Sequence, residues 1–422
     1  MIRVWRRVSA GVAVGVAAAV AFGSVVIDAP PAHADQVRDL EYWLNDYGFT
    51  SAWGTTRGAG VKVAVIDTGV DGSVADLAGA VVGGTDVSGI GSADGQTPVG
   101  GQTHGTLVGS LLAGRGTGPG NGLIGVAPEA SLLSVSVAFG SNTGSLVSND
   151  DQIASAVRWA VDNGARVINM SLTRNSLDWP QSWDDAFLYA FEHDVVVVAA
   201  AGNRGSGTSE VGAPATIPGV LTVGGVDRNK QASFNASSQG ITISVAAPSE
   251  QLVGALPGGR YVQWDGTSAA APIVSGLVAL VRSAYPELNA AEVINRVVST
   301  ANPNGHKVPS PIYGNGLIDA AAAVTADVAA ATSDPLTLLK DWIHLHRRAD
   351  SAPGALPPST QPPITPAPDP PADRKDTLAS ILPNSWTLTY VTIPLAVLVG
   401  FGSLVALLGI GATRHFRRVL RK

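Results

Sequence analysis

The stretch VKVAVID, residues 61–67, is made of β-branched and other apolar side chains apart from one lysine and a closing aspartate. Three similar runs follow at 132–138, 167–172 and 195–201. Short strands that are apolar on both faces are typical of a parallel sheet covered by helices on both sides. Helical patterns lie between these runs, at about 104–113, 150–163 and 184–193. The sequence therefore predicts a doubly wound α/β domain over residues 61–327, with a mostly parallel sheet and helices on both faces.

The lead-in to this domain, residues 35–60, carries an amphipathic pattern. Leu40, Trp43, Leu44 and Tyr47 have helical spacing, and Gly48 can end a helix. We expect a short N-terminal extension that forms one helix and packs on the domain.

Composition excludes several classes of protein. Hydrophobic residues make up 45% of the 422 residues and charged residues 14%, which is too apolar for a disordered chain and too sparsely charged for a coiled coil. The chain has no cysteine, so a disulfide scaffold, a thiolate nucleophile and a thiolate metal site are excluded. Acids outnumber bases between the two chain ends, which argues against a nucleic-acid partner.

The N-terminus predicts export. Three arginines precede an uncharged run rich in Ala and Val at residues 8–27, and Ala32-His33-Ala34 offers small residues to a signal peptidase. We expect a signal peptide over residues 1–34. An uncleaved signal anchor is the alternative, because the apolar run is long for a signal.

The C-terminus predicts a membrane anchor. Residues 388–412 contain no charged side chain, and as a helix they would span about 37 Å, more than a hydrocarbon core of roughly 30 Å. The tail at 413–422 is basic, which favours the cytoplasmic side. We therefore expect a single-pass protein of the cell membrane with its domain outside. A buried core helix is the alternative for 388–412.

A linker is expected between the domain and the anchor, over residues 328–387. Nine prolines lie within 351–373, so this part cannot form a helix or a sheet ladder. An extended polyproline spacer is expected there.

Three polar residues in glycine-flanked settings are candidates for catalysis. Asp67 ends the first strand in VIDTGVDG, His104 opens a helical run in THGTLVGSLLAG, and Ser268 opens another in GTSAAAPIVSG. A serine hydroxyl is a weak nucleophile until a base removes its proton, and an imidazole can remove and return that proton near neutral pH. A buried carboxylate fixes the tautomer of the imidazole.

A fourth candidate is Asn203, which follows the run 195–201 at the same carboxyl edge as Asp67. Its side-chain amide and the backbone N–H of Ser268 could hold an oxyanion. Each residue alone has a structural alternative, since acids at strand ends often serve turns and Gly-Thr-Ser before a helix is a common N-cap. The four together predict an Asp-His-Ser triad with an oxyanion donor.

These motifs resemble those of the subtilisin-like serine proteases, whose triad follows the same chain order. The resemblance extends to GVAPEASLLSV at 125–135, VINMSL at 167–172 and YGNGLIDAAAAV at 313–324. It implies Asp67, His104 and Ser268 as the triad and Asn203 as the oxyanion donor. It also implies a substrate cleft in which an extended peptide pairs with a strand edge. The cleft residues expected on this basis are Ser171, Leu172, Thr173, Ala201 and Gly202.

A narrower resemblance is to the mycosins, membrane-anchored subtilases associated with type VII secretion in actinobacteria. They share the order of signal peptide, short extension, subtilase domain, proline-rich linker, transmembrane helix and basic tail. The blocks VLTVGGVD at 220–227 and ELNAAEVINRV at 287–297 are also similar. Two features depart from the pattern. Many mycosins have cysteine pairs, and this chain has none. Thr173 stands where subtilases usually have glycine beside the primary specificity pocket, and its β-branched side chain should either narrow that pocket or force the backbone elsewhere.

The resemblance implies a membrane-anchored extracytoplasmic serine endopeptidase that acts on polypeptides and processes substrates or components of a type VII secretion system. Two alternatives remain open: a structural subunit that stabilises a secretion membrane complex, with proteolysis secondary, and a general cell-surface subtilase. No cofactor or metal is expected. Asp71 and Asp76 match no calcium loop, so they are expected to be turn acids, and a calcium site of the kind that some subtilases have is the alternative.

Overall fold

The structure is a computed structural model that describes residues 35–97, 101–138 and 144–347, together with Gly411. Contacts divide the chain into two units, Met1–Ala367 and Pro368–Lys422, and the account below concerns the first. Four predicted segments lie outside the described residues, apart from Gly411: the signal peptide at 1–34, the proline-rich stretch at 351–373, the membrane span at 388–412 and the basic tail at 413–422.

Seven parallel strands form the central sheet, in the order β2-β3-β1-β4-β5-β6-β7. They are β1 (Lys62–Asp67), β2 (Val81–Asp86), β3 (Ser131–Ser136), β4 (Val167–Met170), β5 (Val196–Ala200), β6 (Leu221–Val226) and β7 (Ile243–Pro248). Two further strands, β8 (Leu252–Leu256) and β9 (Arg260–Trp264), form a separate antiparallel hairpin. The α/β class with a parallel sheet is confirmed.

Helices flank the sheet on both sides. In the described residues they are α1 (Asp35–Leu40), α2 (Tyr42–Asp46), α3 (Phe49–Ala52), α4 (His104–Ala113), α5 (Asn149–Asp162), α6 (Gln181–Glu192), α7 (Thr267–Ala284), α8 (Ala290–Ser299), α9 (Ala320–Thr325) and α10 (Pro335–His346). Helices α4, α5 and α6 coincide with the three helical patterns within a few residues.

The two faces of the sheet enter two separate hydrophobic clusters. On β1, Val63 and Val65 belong to the cluster that contains α4 and α7, whereas Ala64 and Ile66 belong to the cluster that contains α5 and α6. Successive side chains of a strand point to opposite faces, so a strand between two clusters must be apolar at every position. This requirement explains the continuous apolar run with which the domain begins.

Helix α7 lies within the first of these clusters. Of the helices in the described ranges, it is the one long and apolar enough to cross a membrane, but 83% of it is buried inside the domain. It is therefore a core helix, and its first turn carries Ser268.

The lead-in forms three short helices and not the single helix expected. The chain leaves helical geometry at Glu41, whose carboxyl group points inward and accepts a hydrogen bond from the N–H of Ile124 at 2.9 Å. Gly48 then adopts a left-handed φ of 76°, which ends α2 and starts α3. Trp43 and Phe49 are fully buried in the first cluster, so the extension contributes to the core.

The segment assigned to the linker begins with a helix that packs on the domain. Leu339 of α10 is fully buried in the second cluster, and Trp342 lies against Trp179 with ring centroids 4.2 Å apart. Just after α10, Arg347 forms an ion pair with the buried Asp184 at 2.9 Å. The domain surface thus extends at least to residue 347, past the boundary expected at 327.

Candidate active site

The candidate residues gather at the carboxyl edge of the sheet. Asp67 is the last residue of β1, Ser171 follows β4, and Asn203 lies three residues after β5. Parallel strands present their carboxyl ends at one edge, where α/β proteins bind ligands. Helices α4 and α7 begin here, with His104 and Ser268 in their first turns.

Asp67 and His104 form a close pair. The Asp67 side chain is fully buried, and its Oδ1 and Oδ2 lie 2.8 and 3.0 Å from Nδ1 of His104. The N–H of Thr68 donates a further hydrogen bond to Oδ1 at 2.7 Å. An ionised carboxylate only accepts hydrogen bonds, so Nδ1 carries the imidazole hydrogen. The lone pair of neutral His104 is then on Nε2, which can accept a proton.

Two opposing effects set the pKa of His104. Burial disfavours the charged imidazolium, but the negative charge of Asp67 and its hydrogen bond outweigh that penalty. The pKa of His104 is therefore raised above 6.5. The side chain remains 34% exposed, so a substrate can reach it.

Ser268 is held by Ser171 in this structure. The Ser268 hydroxyl donates to the carbonyl oxygen of Ser171 at 3.2 Å, and the Ser171 hydroxyl donates to the carbonyl oxygen of Ser268 at 2.8 Å. Within residues 35–97, 101–138 and 144–347, no hydrogen bond joins Ser268 to His104. The structure therefore brings Asp67 to His104 and Ser268 to Ser171, and leaves the two pairs unbonded.

A series of buried side-chain hydrogen bonds supports this end of α7. Ser275 donates to Oδ1 of Asn169 at 2.9 Å, and Nδ2 of Asn169 donates to the Ser171 hydroxyl at 3.0 Å. All three residues are buried, so these hydrogen bonds fix the first turns of α7 against β4. Sequence reasoning missed Asn169 and Ser275, although a polar residue in an apolar strand or helix was a usable signal.

Asn203 is oriented by the residue before Ser268. Its Oδ1 accepts from the backbone N–H of Thr267 at 2.8 Å and lies 2.9 Å from the Thr267 hydroxyl. The carbonyl end of the amide is thus fixed, and the NH₂ end points away from it. Gly266 has a φ of 138°, and a Cβ there would lie 2.9 Å from Nδ2 of Asn203. Glycine at 266 permits this close approach.

The other expected cleft residues line the same edge. Thr173 donates its hydroxyl to the carbonyl oxygen of Arg174 at 3.0 Å, and the N–H of Arg174 donates to the Ala213 carbonyl at 2.7 Å. Ala201 is fully buried and Leu172 is partly buried. The N–H of Gly202 donates to the Thr267 hydroxyl at 3.0 Å. The chain next to Thr173 is therefore held by one side-chain and one backbone hydrogen bond.

A contact that the sequence did not indicate involves Trp264. Its ring lies 5.5 Å from the His104 ring, centroid to centroid, with an interplanar angle of 80°. Trp264 belongs to the β8–β9 hairpin, which lies outside the four apolar runs that predict strands in the sequence.

The described residues contain no group of three or more His, Cys, Asp or Glu side chains placed to hold a metal ion. Asp71 accepts from the N–H and hydroxyl of Ser73, within one turn. Asp76 is buried and accepts from the N–H of Leu123 and the hydroxyl of Tyr261. Both acids have structural partners.

The family model of the subtilases, peptidase family S8, matches residues 58–316. This chain belongs to the subtilase family. The matched range contains all four candidate residues, and the relatives support serine endopeptidase activity. We therefore describe the chain as a subtilase-type serine protease.

Relatives of two kinds are similar to this subtilase. Subtilisin DY of Bacillus licheniformis is 41% identical over 273 residues, which cover 63% of this chain and 92% of that protein. Mycosin-4 of Mycobacterium tuberculosis is 36% identical over 333 residues, which cover 67% and 70%. The solved MycP3 protease from the type VII (ESX-3) secretion system has a TM-score of 0.57 at 36% identity, covering 68% of this chain and 88% of that one. The resemblance to mycosins is confirmed.

Proposed function

We propose that this subtilase is a membrane-anchored extracytoplasmic endopeptidase whose triad is Asp67, His104 and Ser268. The observation that carries the catalytic part is the buried Asp67–His104 pair, which occupies Nδ1 and leaves Nε2 of the neutral imidazole as its proton acceptor, at the edge where Ser268 lies in the first turn of α7. A base, a nucleophile and an orienting carboxylate at one edge are what acyl transfer requires.

In the proposed mechanism, Oγ of Ser268 attacks the carbonyl carbon of the scissile peptide bond while Nε2 of His104 takes the hydroxyl proton. Asp67 stabilises the resulting imidazolium. His104 returns the proton to the leaving amine as the C–N bond breaks, which leaves an acyl-enzyme on Ser268. A water molecule then attacks the ester with His104 again as the base, and the acid product departs.

The developing oxyanion would be held by two donors, Nδ2 of Asn203 and the backbone N–H of Ser268. The support is the fixed orientation of the Asn203 amide by Thr267. As the second residue of α7, Ser268 has a backbone N–H without an intrahelical acceptor, and the helix N-terminus favours negative charge. Donors that are already in place stabilise the transition state without reorganisation.

Substrate binding would also release the nucleophile. An extended peptide that pairs with the edge at 171–173 offers an N–H to the Ser171 carbonyl, the group to which the Ser268 hydroxyl donates in this structure. Competition for that acceptor frees the hydroxyl to turn toward His104. Hydrogen bonds in an active site often tighten in this way only when substrate is bound.

The proposal is tested by covalent labelling. A fluorophosphonate probe is expected to form one adduct with the folded protein, and peptide mapping should place it on Ser268, because only an activated serine displaces fluoride at a useful rate. Heat-unfolded protein is the control and should not react. An adduct on another serine, or hydrolysis by a protein that the probe does not modify, would contradict the assignment.

We further propose that the enzyme acts with a type VII secretion system and is tethered by residues 388–412, with the tail at 413–422 in the cytoplasm. The support is the likeness to Mycosin-4 and to the MycP3 protease, together with the uncharged run and the basic tail. Processing of secreted substrates or of system components fits an endopeptidase held at the membrane.

A strain that lacks the gene tests this second part. It is complemented with the wild type, with Ser268→Ala, or with a chain that ends at residue 387. Only the wild type is expected to restore secretion, and the shortened chain should move from the membrane fraction into the medium. Full rescue by Ser268→Ala at wild-type protein level would instead favour the alternative of a structural subunit. Retention of the shortened chain in the membrane would contradict a tether formed by 388–412 alone and would favour an uncleaved signal anchor at the N-terminus.

A further inference from the structure

The β8–β9 hairpin touches the active site at one point, Trp264. This residue is partly buried at the end of β9, four positions before Ser268, and its ring meets the His104 ring nearly at a right angle. Edge-to-face pairs at this separation are favourable because the positive edge of one ring faces the negative face of the other.

The hairpin is anchored on the helix that carries His104. The N–H of Ala255 on β8 donates to the Ser110 hydroxyl of α4 at 3.0 Å. A Cβ at Gly254 would lie 2.7 Å from Leu107 of α4 and 3.0 Å from Nε1 of Trp264. Glycine at 254 therefore lets the indole pack closely between β8 and the first turns of α4. A second attachment is the Tyr261 hydroxyl, which donates to Asp76 at 3.1 Å.

In the described residues, the hydrogen bonds of the His104 ring lie at one edge. Asp67 holds its Nδ1 edge, but the Nε2 edge has no hydrogen bond to any residue within the described ranges. A ring held by one edge can still swing about that hydrogen bond. The indole lies beside the ring, in a place where it would limit this motion.

We propose that Trp264 is a positioning residue, which fixes the orientation of the His104 imidazole and ties it to the segment that carries Ser268. The inference rests on the proposed role of His104 as the catalytic base. Trp264 itself need not touch the reacting atoms. The segment 264–268 carries both the indole that contacts His104 and the hydroxyl of Ser268, so the indole links the positions of the two groups between which the proton would move.

The indole acts through its ring and not through a hydrogen bond. Its Nε1 is buried without a partner among the described residues. Phenylalanine keeps an aromatic face and removes this unsatisfied donor. Leucine fills volume but offers no ring. These three side chains therefore separate an aromatic positioning role from simple packing.

The test compares Trp264→Phe, Trp264→Leu and Trp264→Ala in the full chain. We expect the Leu and Ala variants to lose about 10- to 100-fold in kcat with a smaller change in KM, since small displacements of a catalytic group cost this much. The Phe variant should stay within about threefold of the wild type, because the ring contact is kept. The matched control is Gln263→Ala, a change at the exposed neighbour on the same strand, which should have no effect.

A second readout separates positioning from stability. Asp67, on β1, is the charged group that acts on the pKa of His104, and the indole contributes to the burial that opposes it. Loss of the indole should move the His104 titration to higher pH in Trp264→Ala but not in Trp264→Phe. The titration is followed by NMR in a Ser268→Ala background, so it does not depend on hydrolysis.

Unchanged kcat and an unchanged His104 titration in both the Leu and Ala variants would overturn the proposal. If Trp264→Ala does not fold, the contrast between Phe and Leu decides, and equal kcat in those two would also overturn it. Wild-type hydrolysis by Ser268→Ala would defeat the proposed catalytic assignment, whereas the NMR titration would still report whether the indole acts on His104.

Discussion

Replacing Ser268 with alanine is expected to lower kcat for peptide hydrolysis by about 10⁶-fold, which is the size of the loss when the nucleophile is removed from subtilisin itself. The methyl group of alanine cannot form the acyl-enzyme. Folding should not suffer, because the hydroxyl makes one hydrogen bond of 3.2 Å at a partly exposed position. The measurement is kcat on an internally quenched peptide, with thermal unfolding as the check on folding.

If Asp67, His104 and Ser268 act as one proton relay, their variants should lose kcat in a specific pattern. Ser268→Ala and His104→Ala combined should lose no more than either alone, because groups that act as a unit are not additive. Asn203→Leu should cost only about 10²–10³-fold, because it removes one of two oxyanion donors while the covalent route survives. Additive losses from Ser268 and His104 would contradict a shared proton relay.

Much of the fold follows from local pattern. The runs at 61–67, 167–172 and 195–201 contain β1, β4 and β5, and the run at 132–138 overlaps β3 except at Ser131, because strands buried on both faces need continuous apolar residues. Strands with paired glycines were not found: β2 contains VVGG and β6 contains TVGG. Glycine has low strand propensity, so such strands form only through their neighbours in the sheet.

The site shows a sharper limit of sequence reasoning. Side chains at strand ends and helix starts are predictable, because topology places carboxyl ends together. The reciprocal bonds of Ser171 and Ser268 span 97 residues, and the contact of Trp264 with His104 crosses from a hairpin to a helix. The local spacing of polar and apolar residues does not indicate such contacts, because they join residues that are far apart in the chain. They depend on how the hairpin docks on α4.

The N-terminal extension also makes hydrogen bonds to the rest of the domain, and one of them lies near the β8–β9 hairpin. Trp53 donates its indole N–H to the Val126 carbonyl at 2.9 Å, and Tyr42 donates to the Glu250 carbonyl at 2.8 Å. The second contact adjoins the turn at Gln251, whose N–H donates to Asp265, next to Trp264. Tyr42 of the extension therefore supports the turn that leads to Ser268. The stability of the extension thus matters for the site.

The extension contains a buried acid that should make stability fall at alkaline pH. Burial raises the pKa of Glu41 to about 8, and nearby Asp76 adds to the rise. Arg38, 3.7 Å away, and the N–H of Ile124 lower the pKa but do not compensate. Oε2 of Glu41 has no hydrogen-bond partner in the described structure. The carboxyl group is therefore protonated in the folded protein at neutral pH.

The direction in which the free energy of unfolding changes with pH follows from proton linkage. Between the ordinary pKa of 4.5 and the folded value of about 8, the folded protein holds a proton that the unfolded chain has lost. The free energy of unfolding then decreases by at most about 1.4 kcal/mol per pH unit. The stabilisation is complete below pH 4.5 and is lost as the pH rises through about 8.

Glu41→Gln should remove this dependence, because glutamine resembles the protonated acid and can still accept from Ile124. We expect the variant to match the parent near pH 5 and to be more stable by several kcal/mol at pH 9. Urea unfolding at pH 5, 7 and 9 measures this, in a Ser268→Ala background that prevents self-digestion.

The control is Glu129→Gln, since the Glu129 side chain is 53% exposed and pairs with Arg57 at 3.4 Å. Its profile should follow the parent. The prediction would be contradicted if the free energy of unfolding changed with pH in the same way in Glu41→Gln and in the parent. The charged form of Glu41 would then not destabilise the folded protein.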